Sequence, residues 1–455
     1  MKLIERLSQG SNGTSQRAHS FAAQPARRPK SELADTYQQF KHKVHNRLFE
    51  TLDVTRLENL EADLARVKVA GAISDACSEE ARLVTDRDRE RLIDEITNEL
   101  LGLGPLEPLL WDDSITDILV NGPNHVYIER DGKLHPTGIM FQDEQHLMLI
   151  IDRVVSRVHR RIDEASPMVD ARLPDGSRIN AIIPPLALDG PALSIRRFGN
   201  HRLSIAELVN RGTLNEAAVE FLQALVRARL NIMIVGGTGS GKTTLLNCMS
   251  AFIPENERVV TIEDSAELML QQPHVVRLET RPPNIEGHGE VTQRDLVKNS
   301  LRMRPDRIIV GEARGTEVYD MLQAMSTGHD GSLTTLHANS ARDSLGRLEM
   351  MMLLWGHSMP ERAMRQQISA ALNVVVHVSR LADGSRKVMR ISEITGMEGE
   401  VVMMQDLWEF VRTGTGANGR ILGDLRTTGI RSVFLERLEG TGYRMDRELA
   451  RGVGA

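Results

Sequence analysis

The nonapeptide GGTGSGKTT at residues 236–244 follows the apolar run NIMIV (231–235) and precedes the helix-like LLNCM (245–249). No other feature constrains the chain as much, because GxxxxGK[ST] carries a mechanism only between a strand and a helix start. Glycines let the backbone wrap a phosphate with successive N–H groups pointing inward, and the helix N-terminus adds its partial positive charge. Gly236, Gly237, Thr238, Gly239, Ser240, Gly241, Lys242, Thr243 and Thr244 are therefore expected to cradle the phosphates of ATP. Lys242 is placed to meet the β- and γ-phosphate oxygens, and the Thr243 hydroxyl to ligate Mg²⁺.

Composition narrows the classes that remain. At 455 residues, 41% hydrophobic and 26% charged, the chain has room for two or three globular domains. A formal net charge of -6 gives no cationic field to attract nucleic acid. The two cysteines, Cys77 and Cys248, can build neither a disulfide framework nor a cysteine-rich zinc site, which suits a reducing cytoplasm. No apolar stretch approaches the ~20 residues of a membrane span. Met1–Leu7 lacks the apolar core of a signal peptide. The expectation is a cytoplasmic protein that meets a membrane only by docking to something there.

Patterning along the chain predicts five segments. Residues 1–30, rich in Ser, Gln, Ala and Arg, read as a disordered tail. Residues 31–102 read as a helical unit. Its first stripe is Leu33, Tyr37, Phe40, Val44, Leu48 and Leu52. A second helix starts at Thr55 with a Glu58 capping box and carries Leu57, Leu60, Leu64 and Val67. A third runs from Thr85 through Leu92, Ile96 and Leu100 to Gly102. Residues 103–200 read as an α+β domain: hairpin strands around 117–120 and 126–129, a helix over 147–158, and strands flanking 174–177 and ending at 193–198. Residues 201–212 read as a linker. In 213–455, strands at 231–235, 258–262, 307–310 and 332–336 alternate with helices, which predicts a mostly parallel three-layer α/β sheet with ligands at the strand C-terminal ends. The tail beyond Gly396 is expected to include a flexible glycine-rich loop over 413–423.

Three constellations fall at predicted strand ends. Glu263, with Asp264 beside it and Glu267 one turn on, can orient or deprotonate an attacking water. Asp306–Glu312 is a buried strand ending in an acid, the shape of a Walker B element, so Glu312 can sit by the metal or polarise the nucleophile. The polar loop 327–332 and the strand after it aim His337 at the γ-phosphate position.

TIEDSAEL, VGEARGTE and TGHDGSLTTLHANS, in this order after GGTGSGKTT, resemble the Asp box, Walker B element and His box of the type II and type IV secretion and pilus-assembly ATPases. Within that group LLGLGPLEPLL, ILVNGPNHVYIERDGKL and MVDARLPDGSRINAIIPP, with ISEITGMEGEVVMMQDLWEF and VFLERLEGTGY, are similar to the tight-adherence (Tad) pilus ATPases of the CpaF type. The resemblance spans roughly residues 30 to 445. One departure is that type II secretion ATPases commonly carry a zinc site of paired cysteines, which this sequence lacks.

The resemblance implies a RecA-like ATPase domain behind the α+β and helical units, and a homohexameric Mg-ATP-hydrolysing motor of pilus assembly or secretion. It implies peripheral association with the inner membrane through platform proteins. It carries phosphate and metal binding onto Lys242 and Thr243, metal and water contact onto Glu312, and the base onto Glu263, without settling how the two acids divide the work. N-terminal-domain arginines that reach the nucleotide map first to Arg196, then to Arg178 and Arg197. Two other classes remain as readings of the sequence: a nucleic-acid motor on the same core, against which stand the charge and an aromatic content of 4%, and a nucleotide-binding scaffold with little turnover.

Overall fold

A computed structural model describes residues 62–444, apart from 80–84, 131, 159, 174, 198–202, 284–287, 355–358 and 418. The expected tail over 1–30, the helix over 33–52 and the capping box at Thr55 lie outside the described residues. The helical unit enters as α1 (Ala62–Glu79) and α2 (Asp86–Leu101), which pack on each other. Leu92 and Ile96 are buried as their spacing predicts. On α1 Val69 and Ile73 are buried, whereas Leu64 and Val67 of the expected stripe are exposed.

After a 3-10 turn and α3 (Glu107–Leu110), a six-stranded antiparallel sheet forms in the order β3-β2-β1-β6-β5-β4. Its strands are β1 (Ile115–Asn121), β2 (Val126–Arg130), β3 (Lys133–Pro136), β4 (Met168–Arg172), β5 (Arg178–Ile182) and β6 (Ala192–Arg196). Strand alternation gives this sheet two different faces. Ile118, Val120, Ile179, Ala181, Leu193 and Ile195 point to a core closed by α4 (Glu144–Ser156) through Leu147, Ile150, Ile151, Val154 and Val155. The opposite face carries Asp117, Asp170, Arg178, Asn180, Ser194 and Arg196 around a groove of ≈ 310 Å³.

The segment expected as a linker over 201–212 contains α5 (Ile205–Asn210). Ser204 and Glu207 form a reciprocal capping box at its start, and Leu208 is buried, so two backbone donors are satisfied and the turn has an anchor.

From there α6 (Glu216–Arg227) leads into a nine-stranded sheet in the order β15-β14-β13-β12-β7-β11-β10-β8-β9. The parallel part comprises β7 (Ile232–Gly236), β8 (Val259–Glu263), β9 (Val275–Glu279), β10 (Arg307–Ala313), β11 (Leu333–His337) and β12 (Val374–Arg380). Central strands such as β7 read as unbroken apolar runs because both faces are covered. Ile232 and Ile234 face a core shared with α6 and α7 (Lys242–Ser250). Met233 and Val235 face a core built with α8 (Gln293–Ser300), α9 (Glu317–Ser326), α10 (Ala341–Leu353) and α11 (Glu361–Ala371). The three-layer α/β expectation holds.

Beyond β12 the sheet continues antiparallel through β13 (Arg386–Glu398), β14 (Val401–Thr415) and β15 (Ile421–Thr427), followed by α12 (Leu435–Glu439). The expected flexible loop over 413–423 is therefore mostly ladder: Thr415 pairs with Ile421 and Gly414 with Leu422. Backbone pairing does not depend on side chains, so glycines in register with a partner strand are held as strand.

Candidate nucleotide-binding site

Strand β7 ends at Gly236, and the loop 237–241 delivers the chain into α7 at the C-terminal edge of the parallel sheet. Gly236 must be glycine, because a β-carbon there would strike the carbonyl oxygen of Val378 and lie 2.6 Å from Ser240 Oγ. Gly241, at the N-cap of α7, has φ of 97°, a left-handed conformation that favours glycine. Gly237, Thr238 and Gly239 are exposed, so the cradle opens to solvent. Lys242 is buried, and its Nζ donates to Gly237 O at 3.1 Å. Burial lowers its pKa, and the charge of Glu312 opposes that shift. Thr243 and Thr244 are part-exposed in the first turn of α7.

The other strand ends converge on this loop. His337 ends β11 directly beside Gly236 in the parallel register. Glu312 accepts from Arg314 Nη2 at 2.6 Å and sits 3.3 Å from His337 Nε2. Arg314 also reaches Asp264 at 3.3 Å. Burial and the nearby charge of Lys242 lower the His337 pKa, so the ring is a neutral partner to Glu312 at physiological pH. Glu263 closes β8 almost wholly buried, its Oε2 accepting from the Glu267 and Leu268 N–H groups at 2.7 and 2.8 Å. Its Oε1 is buried with no partner. Burial pushes the Glu263 pKa up to about 7 despite the two N–H donors. A buried acid poised near neutrality, with one lone oxygen, can exchange a proton with a water.

The glycine cradle, a lysine tip inside it, a threonine in the first helical turn and an acid across from both suit a phosphate chain with Mg²⁺. Thr243 and Glu312 are the residues that would hold the metal.

Of the arginines expected from the N-terminal sheet, Arg178 comes nearest, 3.9 Å from Glu267 and 3.3 Å from Asp170. Arg196 pairs with Arg178 across β5 and β6 on the same polar face, but its ion pair is with Asp117 of its own sheet at 3.2 Å. Arg197 is not among the residues that line the groove. It donates to the carbonyls of Asp112 and Ile115 and pairs with Asp113. Arg197 is the first residue past β6, and its backbone N–H and guanidinium are both held by carbonyls of the 112–116 segment.

Two arginines escaped the sequence reading. Arg314 was findable, two residues beyond Glu312. Arg172 carries no local signal: it joins the sheets by pairing with Glu279 at 2.8 Å and donating to the Ala266 carbonyl.

A phosphate loop that runs from β7, the middle strand of the nine, into a helix defines a P-loop nucleotide-binding protein with a RecA-like core. The model of the family described as "Type II/IV secretion system protein" matches residues 99–421, and the chain belongs to that family. A Mycobacterium tuberculosis protein named for conjugal transfer is 40% identical over 312 residues, 67% of this chain and 88% of that protein. The type IV secretion system protein VirB11 of Brucella suis is 32% identical over 320 residues, 64% of this chain and 88% of VirB11. The crystal structure of the Brucella suis VirB11 ATPase in complex with sulphate aligns at 30% identity over 63% of this chain and 94% of that one, with a TM-score of 0.35. No helix among the described residues is long and apolar enough to cross a membrane.

Proposed function

We propose that this protein hydrolyses Mg-ATP as a homohexameric motor of pilus assembly or secretion, of the tight-adherence type. The observation that carries hydrolysis is the meeting of Lys242, Glu312, His337 and the half-satisfied Glu263 at one sheet edge. Lys242 and the loop N–H groups would hold the β- and γ-phosphates, and Thr243 and Glu312 the Mg²⁺. Bound Mg²⁺ would offset charge on the phosphoryl oxygens. Glu263 is the candidate base for the attacking water, while His337 and Arg314 orient Glu312. Arg178 and Arg196 are the arginines that would complete the site from the six-stranded sheet, as a planar guanidinium can meet phosphoryl oxygens bidentately. Loss of the γ-phosphate would release contacts between residues 103–200 and 213–455, opening the cleft, and a ring of such clefts would convert hydrolysis into movement. The pilus and secretion assignment is supported by membership of the secretion family and by relatives named for type IV secretion and conjugal transfer. Inner-membrane platform proteins would receive the movement, with the motor on the cytoplasmic side.

The test is ATP turnover and nucleotide affinity in the full chain and in Lys242→Ala. Turnover in the parent chain that vanishes in the variant, with the fold retained by circular dichroism, supports the reading. Equal turnover in both overturns it.

A further inference from the structure

The hairpin between β12 and β13 extends past the site. Strand β12 pairs with β7 only as far as His377 opposite Val235, where β7 turns off into the phosphate loop. Three more residues, Val378, Ser379 and Arg380, continue paired to β13 alone, through Val388, Lys387 and Arg386. The hairpin tip thus stands beside the loop rather than in the sheet.

Its basic side chains reach three separate parts of the molecule, and in each the acceptor is a glycine carbonyl. Arg386 Nε donates to Gly239 O in the phosphate loop at 2.9 Å. Arg380 Nη2 donates to Gly132 O, in the turn between β2 and β3 of the other sheet, at 2.6 Å. Lys387 Nζ donates to Gly212 O at 2.6 Å, and Val388 N–H bonds to Thr213 O, both in the segment joining the two sheets. The contacts are close: a β-carbon on Gly132 would lie 2.8 Å from Arg380 Nη2, and one on Gly241 3.2 Å from Arg386 Cδ. The tip itself is stiffened by Asp383, which accepts from Ser385 N–H and Oγ and from Ile421 N–H at 2.7 to 3.0 Å.

We propose that the Arg380–Arg386 hairpin tip couples occupancy of the phosphate loop to the position of the β2–β3 turn, making Arg380 a positioning residue for closure of the two sheets on the nucleotide. This rests on the nucleotide-site reading above. Arg380 and Arg386 are cross-strand partners, so two like charges stand side by side, with Glu129 as the acid acting on Arg386 and Arg211 as a further cation. A bound polyphosphate adds the negative charge this cluster lacks and favours holding both guanidinium groups in place. A shift in the Gly239 carbonyl as the loop wraps phosphate is passed by Arg386 through a stiff tip to Arg380, and so to Gly132.

The experiment is hydrogen exchange of the full chain with and without a non-hydrolysable ATP analogue and Mg²⁺, alongside steady-state kinetics, in the parent, Arg380→Gln, Arg380→Lys and Gly132→Ala. In the parent the analogue should protect both the phosphate loop and the peptide spanning 126–136. In Arg380→Gln the loop should remain protected while protection at 126–136 is lost. Its kcat should fall about tenfold with KM changed by less than about threefold, since the nucleotide contacts themselves are intact. Arg380→Lys, which keeps one charged donor, should restore part of the protection. Gly132→Ala disturbs the same contact from the other side and should reproduce the Arg380→Gln pattern. Protection at 126–136 that survives in Arg380→Gln, or that never appears in a parent whose loop is protected, overturns the coupling. No protection of the loop in the parent refutes the nucleotide site itself, and the coupling with it.

Discussion

Gly311 and Glu263 touch across neighbouring strand ends: a β-carbon on Gly311 would lie 2.8 Å from Glu263 Cγ and 3.4 Å from its Oε2. The residue immediately before Glu312 is thus what leaves room for the buried acid of β8, and the two candidate catalytic carboxylates are positioned as a unit.

Gly311→Ala should therefore act on Glu263. The added methyl displaces a buried side chain that two N–H groups hold in place, and misplacing a base by a fraction of an ångström is expensive in rate. The expected outcome is a fall in kcat of about tenfold or more with nucleotide affinity little changed. Single-turnover kinetics beside a fluorescent-nucleotide titration separates the two; a purely proportional loss of affinity would contradict it.

Stability should depend on pH through Glu263. Its folded pKa of about 7 lies above the ordinary carboxyl value of 4.5, so the folded chain binds the proton more tightly. Its stabilising contribution is complete below about pH 4.5 and lost as pH rises through about 7. The charged form then costs on the order of 3 kcal/mol. Glu263→Gln carries no charge to bury, so it should raise the unfolding midpoint at pH 8 and leave it nearly unchanged at pH 5, read by thermal denaturation without nucleotide.

Arg178, which lines the groove, and Arg197, which does not, should fail differently. Arg178→Lys removes a planar fork that faces Glu267 and the groove, and turnover should drop about tenfold with the fold intact. Arg197→Lys loosens carbonyl contacts inside the six-stranded unit, so its signature should be a lower unfolding midpoint with near-normal turnover. Reversal of the two phenotypes would return Arg197 to the site.

Arg307 has no exposed surface and pairs with Glu257 through two hydrogen bonds of 2.5 and 3.1 Å, with a third to Gly331 O at 3.2 Å. Without Arg307, Glu257 would keep only the part-exposed Arg229, 3.3 Å away, as an ion-pair partner. Arg307→Ala should lose about 1.5–3 kcal/mol of stability by chemical denaturation, the range for lost hydrogen bonds to charged groups. Because Gly331 lies at the end of the loop that leads into His337's strand, the same variant should also lower turnover. A variant as stable as the parent would show that the pair is not buried in solution.

The parts of the site legible in the sequence are those whose signal is local. Gly236–Thr244 announces itself because strand, loop and helix are contiguous, and Glu263, Glu312 and His337 each follow an apolar run at the end of which a parallel sheet presents its ligands. The capping box at Ser204 and Glu207 was equally local, although the segment around it reads as linker by composition. The ladder over 413–423 is different in kind, since its glycines are held by a partner strand rather than by any propensity of their own.

By itself the sequence determined that this chain builds a phosphate loop in an α/β core behind an α+β unit, and which acids stand at its strand ends. Only the tertiary structure decided which arginines face the groove, because Arg197, one residue past the end of β6, is captured by carbonyls of the 112–115 segment. It alone decided that Arg172 spans the two sheets and that Arg380 meets Gly132 across 248 residues. A hydrogen bond between residues so far apart is made by the register of strands and the packing of sheets, and leaves no periodicity in the segments that form it.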